Sequence, residues 1–349
     1  MANMKNSALN AACVALLSYA GSAAAGTYTY TPLVFPGTTN PILVAGDGAH
    51  QGGINSNNQV VGAFTGSDNY VHGFVWTAGA LVQVDFGAGQ FTQLDAINDN
   101  GLAVGDACTS CGVNGVNQGF YYNSKNGKYQ GINSSPSPIF YLNALNSSGT
   151  SVGEATEVRA FGFVANTNGD ATQIDVPKAK YSEATGIDDG GTIVGLYGTK
   201  GIHNMGFTDL NGVFTMFNPP KSSRIAGLTI TPNGLIVGEF FKKHSPASSF
   251  TYASGAFKVL NYPGGNGTYA AGAMANGTVV GFWLDQGSAE HGYIYSSGKY
   301  HSIDYPGATS TQLIATNPQG TLLGEYSTST VNGGFFIAQC PQNQQPCTK

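Results

Sequence analysis

The stretch TYAAGAMANGTVVGFWLDQGSAEHGYIYSSGKYHSIDYPG (residues 268–307) contains four short runs rich in β-branched and aromatic residues, separated by glycine turns. The first run is Thr268–Ala273. Asn276-Gly277 turns into Thr278–Trp283, a longer loop leads to Gly292–Tyr295, and Ser297-Gly298 turns into Tyr300–Asp304. Tyr305-Pro306-Gly307 leaves the unit. Strands this short cannot bury both faces alone, so the unit must stack on copies of itself.

Copies are present. An apolar-Gly pair recurs, ending at Gly62, Gly105, Gly153, Gly195, Gly238, Gly281 and Gly324, at spacings of 43, 48, 42, 43, 43 and 43 residues. A turn glycine stands four residues before each, at Gly101, Gly149, Gly191, Gly234, Gly277 and Gly320. Asn58 takes that place in the first copy, which fits, because Asn tolerates the left-handed conformation. Aromatic partners follow at Phe74, Phe120, Phe163, Phe207, Phe250, Tyr293 and Phe335. Four strands per period of about 43 residues predict an all-β, seven-bladed β-propeller with four-stranded antiparallel blades.

The seventh copy ends after Gly334-Phe335-Phe336-Ile337-Ala338 without a fourth strand. Residues 28–37 resemble Tyr300–Gly307, a fourth strand with its exit turn. The N-terminal segment is therefore expected to complete the last blade and leave no free radial edge.

Composition agrees. There are 50 Gly, and charged residues make up only 9%, against a usual ~25%. Helices lack the charged residues that their exposed faces need. The net charge of −5, with 14 Lys and Arg, offers no basic footprint for nucleic acid or anionic lipid. Residues 1–25 read as an export signal: Lys5 supplies the basic start, Ala8–Ala20 the apolar run, and Ser22-Ala23-Ala24-Ala25 the cleavage site. The apolar run is too short to anchor in a membrane. The expected organisation is a signal at 1–25, one propeller at 26–338 and a tail at 339–349, in a secreted monomer, extracellular or periplasmic. Export favours two local disulfides, Cys108–Cys111 and Cys340–Cys347.

The repeats resemble the HAF repeats of extracellular bacterial proteins. The matching segments are His72-Gly-Phe74, Gln118-Gly-Phe120, Met205-Gly-Phe207 and His291-Gly-Tyr293, with Ile-Asp-x-Pro at Ile174–Pro177 and Ile303–Pro306. The resemblance spans residues 27–338. Gly replaces the family's Ala, and two of seven copies keep the His. It implies an exported β-repeat protein and carries no catalytic residues.

In such a blade, the first-to-second and third-to-fourth connections are tight and uniform, which predicts a structural face. The second-to-third connections (the B–C loops) are long and variable, where specificity usually resides. They carry Arg159, Lys200, His203, Lys243, His244, Asp285, Glu290 and His291. Arg159, Lys200, Lys243, Asp285 and Glu290 are candidate ligand contacts. His203, His244 and His291 are candidate acid–base groups, with Asp106 and Glu154, which directly follow apolar-Gly pairs; Glu239 and Glu325 follow two others. An Asp106–Glu154 pair could serve general acid–base chemistry or hold a cation; hydrogen bonding to a neighbouring blade is the plainer reading. Tyr121, Tyr122, Tyr141, Tyr181, Tyr269 and Trp283 could stack on sugars or fill the core. No zinc spacing, P-loop or GxSxG motif occurs, and neither metal nor cofactor is expected. Three functions stay open: binding of an extracellular polysaccharide or cell-surface component, a polysaccharide hydrolase or lyase, and a structural or adhesive matrix role.

Overall fold

The computed structural model describes residues 28–35, 41–42, 53–87, 91–108, 117–132, 139–156, 159–199, 202–331 and 333–340. The expected export signal, Cys111, Lys200, Cys347 and the tail beyond 340 lie outside them, as does the side chain of His203. Every described element is a strand, and almost all strand pairing is antiparallel.

Five sheets have four strands and one has eight. The eight-stranded sheet is two consecutive four-stranded units joined by one parallel pair, Val71 with Phe91. The described strands therefore fall into seven four-stranded units. In the sixth, the observed strands are Thr268–Ala273, Val279–Leu284, Glu290–Ser296 and Lys299–Ile303, within two residues of the sequence expectation.

The seventh unit takes its outer strand from the start of the chain. Thr29–Pro32 pairs antiparallel with Gly334–Gln339, Thr29 opposite Gln339 and Pro32 opposite Phe336. Leu33 and Phe35 continue into the core, and the Tyr30 ring meets Tyr305 edge-on at 5.6 Å.

Seven buried clusters hold the described units together, each spanning two neighbours. Val61, Val75 and Leu94 join units one and two; Val280, Leu313 and Phe336 join six and seven. Phe64 and Phe74 pack with Leu323 and Phe335, so unit seven closes on unit one. No unit has a core of its own: each sheet buries both faces against its neighbours.

Register explains the period of the glycines. In units two to seven, the inner strand slips one residue against the second strand, at Asp95, Asn143, Thr185, Gly227, Ala271 and Ile314. Such a bulge swings a carbonyl across the neighbouring strand. A Cβ on Gly105, Gly153, Gly195 or Gly281 would collide with the carbonyl oxygen of Gln93, Tyr141, Glu183 or Tyr269. The residue facing each of these glycines on the third strand is aromatic. In unit seven it is Phe336, not the expected Phe335, because Gly334 pairs with Tyr326 and Phe336 falls opposite Gly324.

The tight turns behave as their residues require. Asn58 has φ +56°, matching Gly101 at +76° and Gly277 at +84°. In four of the units the residue that opens the turn is an Asn that reaches the next unit. Asn55 Nδ2 donates to the Asn98 carbonyl (3.0 Å), Asn98 to Asn146 (3.0 Å), and Asn146 to Asp188 (3.2 Å). Asn317 donates to Asn55 (2.9 Å), again linking unit seven to unit one.

Candidate functional site

The inner strands surround an axis. In its half nearer the B–C connections, the residue after the apolar-Gly pair in units two to seven stands beside its register partner on the inner strand. These couples are Gln93 with Asp106, Tyr141 with Glu154, Glu183 with Leu196, Ala226 with Glu239, Tyr269 with Phe282, and Gln312 with Glu325. Acidic and aromatic side chains thus collect on one level because the repeat places them at one register position.

The expected Asp106–Glu154 pair is rearranged. Asp106 is 1% exposed, and its close partner is Asp95 at the inner-strand bulge of the same unit. Gln93 Nε2 bridges them, donating to Asp106 Oδ1 (2.9 Å) and Asp95 Oδ1 (3.2 Å). Burial pushes the Asp106 carboxyl up to about 7. Burial, and then the Asp106 charge, raise Asp95. Glu154 instead bonds across the unit boundary to Glu183 and accepts from Thr156 Oγ1 (3.1 Å), and burial raises it. Tyr141 stands between Asp106 and Glu154 and feels both charges.

A second arc occupies units five to seven. Glu239 is 8% exposed, and burial raises it to about 8, with only partial relief from the Arg224 charge. Tyr269 lies between Glu239 and Glu290, its ring stacked on Phe282 at 4.6 Å and 6°. Glu290 accepts from Ser310 Oγ (2.6 Å) of the next unit. Burial, then the Glu290 charge, raise Glu325. Each arc therefore has one layout: a half-exposed tyrosine flanked by one carboxyl from its own unit and one from the unit before. Among the described residues, no group of three or more His, Cys, Asp or Glu has metal-holding geometry.

The other candidates are placed further out. His291 stacks on Trp283 (4.8 Å) and meets Asp304 Oδ2 (3.1 Å) and Asp285 Oδ2 (3.8 Å). Asp285 shapes its own loop, accepting from the Gly287 and Ala289 amides (2.7 and 2.9 Å). Arg159 Nη1 donates to the Ala179 carbonyl (3.2 Å). Lys243 and His244 are exposed in a turn where His244 has φ +59°. Cys108 and Cys340 are buried, and their expected partners lie outside the described residues. The other copy with a motif His repeats the His–Asp contact: His72 Nδ1 meets Asp85 Oδ1 (2.7 Å) and Nε2 meets Asp68 Oδ1 (3.1 Å).

Sequence reasoning missed Asp95 and Glu183. Both were within reach, since aligning the inner strands on the glycine period puts Asp95 at the bulge and Glu183 opposite Leu196. The opposite face was expected to be purely structural, yet its turns enclose an axial cavity of about 260 Å³ lined from all seven units.

No family model and no curated protein matches the chain. Solved structures do. The β-propeller domain of the trilobed protease from Pyrococcus furiosus aligns with TM-score 0.59 and 11% identity over 83% of this chain and 94% of that one. An oligogalacturonate lyase from Vibrio parahaemolyticus aligns with TM-score 0.57 and 10% identity over 92% of this chain and 100% of that one. Puromycin hydrolase aligns with TM-score 0.60 and 12% identity over 85% of this chain, which spans only 53% of that protein. The chain is a β-propeller. At these identities the likeness shows the fold alone.

Proposed function

We propose that the chain is a secreted, closed seven-bladed propeller that binds a glycan of an extracellular polymer at the axial mouth on its B–C side. The observation that carries this is the twofold arc: Tyr141 between Asp106 and Glu154, and Tyr269 between Glu239 and Glu290. Sugar recognition uses an aromatic face for the apolar side of the ring and convergent polar groups for its hydroxyls. Asp106 and Glu239, raised by burial to about 7 and about 8, can both donate and accept such bonds. Export, and the resemblance to extracellular repeats, agree with a polymer outside the cell.

The test is retention on a panel of insoluble polysaccharides. Wild type is expected to be held by at least one of them. The Tyr141→Ala/Tyr269→Ala variant should lose most of that retention while melting like wild type, since both rings are partly exposed. Retention on no polymer, or equal retention of the variant, would overturn the reading.

The Glu154–Glu183 contact favours a second reading, a polysaccharide hydrolase or lyase, because adjacent carboxyls can divide acid and base roles. It requires new reducing ends or unsaturated products from a bound polymer, abolished by Glu154→Gln.

A further inference from the structure

The cavity at the opposite end of the axis is independent of the carboxyl arcs. It lies where the seven inner strands run into their tight turns, and its volume is about 260 Å³. At ~30 Å³ per water in the liquid, that is room for roughly ten non-hydrogen atoms. Apolar side chains come from both sides of the ring, Ile54, Ile97 and Leu145 from units one to three and Ile230, Met274 and Pro318 from units five to seven. Asp99 and Asp189 are the charged residues of the lining, and no described Lys, Arg or His joins them.

The asparagines of this rim are committed to the scaffold. Asn55 Oδ1 accepts from the amides of Asn57 and Gln59 while its Nδ2 spans to the next unit, and Asn98 repeats the pattern. The two aspartates differ. Asp99 Oδ1 accepts from the Ser56 amide (2.7 Å) and Asp189 Oδ1 from the Ser147 amide (2.9 Å), each fixed by the preceding unit. One oxygen of each exposed carboxylate is thus tied to the scaffold, which orients the side chain and its charge at the mouth.

We propose that this cavity is a second binding site, for a small organic cation: a primary ammonium group on an apolar body of about one ring. The apolar wall takes the ring. The ammonium group meets the Asp99 or the Asp189 carboxylate at the rim, each an acceptor of fixed direction. An anion of the same shape meets two negative charges with no cation beside them, and is rejected.

The probes are 2-phenylethylammonium, 2-phenylethanol and phenylacetate, titrated into the full propeller at low salt and followed by calorimetry. The expected order is ammonium tightest, alcohol weaker and carboxylate undetectable. Asp99→Asn/Asp189→Asn keeps the Oδ1 acceptor for each serine amide and removes both charges. It should melt like wild type and bind the ammonium probe about tenfold more weakly, with no change for the alcohol, as partly exposed ion pairing allows. Ala275→Phe, at the exposed rim, should block both. No binding of the ammonium probe to wild type, equal binding of ammonium and alcohol, or an undiminished ammonium affinity in the double variant would each overturn the proposal. Polysaccharide retention at the other mouth is unaffected by these variants, so the two sites succeed or fail separately.

Discussion

At the residue scale, the buried carboxyls have the largest consequence. Glu239 is held by burial at about 8, far above an ordinary glutamate. A folded-state pKa above the unfolded value means that the fold prefers the proton. This contribution is complete below the unfolded pKa, falls as pH rises through the window between the two values, and is gone above about 8. Asp106, at about 7, acts in the same direction. The propeller should therefore be more stable at pH 5 than at pH 8. Each tenfold difference in proton affinity between folded and unfolded chain is worth at most about 1.4 kcal/mol. Urea titrations across this range check it, and Glu239→Gln should flatten the slope. A slope of the opposite sign would show these carboxyls ionised in the fold. The periodic glycines matter at the same scale. Gly281→Ala would drive a methyl into the Tyr269 carbonyl on a bulged strand, not into a flexible side chain. A cost of about 3 kcal/mol is expected, read as a lower denaturant midpoint with an unchanged m-value.

At the scale of the element, the strand Thr29–Pro32 stands out because it joins the two ends of the chain. Removing Tyr28–Phe35 exposes the edge of Gly334–Gln339 and takes buried Leu33 and Phe35 from the cluster shared by units seven and one. Two such side chains represent roughly 3–6 kcal/mol of burial, a large part of a typical total of ~5–15 kcal/mol. The truncated protein should melt far lower and self-associate through the bared edge. Melting like the full chain would mean that the ring does not depend on this closure. The inner strands show what one element does for another. Their bulges carry Asp95 and Asn143 inward, and Asn143 Nδ2 donates to the Ala184 carbonyl of the next unit (2.9 Å).

At the scale of the whole molecule, regularity at one register position becomes a site only when the units close into a ring. Carboxyls dozens of residues apart in sequence share one mouth, while the tight turns converge on the cavity at the other end. The seven clusters are all of one kind, each shared by two units, so stability is distributed around the ring and no unit is expected to fold alone.

The number of repeating units, the strands within each, the turn positions and the closing strand were all legible in the amino-acid sequence. They follow from local rules: short β-branched and aromatic runs, residues that accept positive φ such as Asn58 and Gly277, and an apolar-Gly pair that recurs from Gly62 to Gly324. Local rules also pointed to Asp106, Glu154, Glu239 and Glu325 as one equivalent set. Their partners were settled by the three-dimensional arrangement. Asp106 meets Asp95 and not Glu154 because the inner-strand bulge turns one particular residue toward the second strand. Glu154 reaches Glu183 because Tyr141–Glu154 and Glu183–Leu196 are the same register couple in adjacent units. The cavity among the uniform turns was equally illegible, since Ser56, Asp99 and Pro318 read as ordinary turn residues until ring closure sets them around one opening. Period and register are properties of a strand and its neighbour. Convergence on an axis is a property of the closed ring.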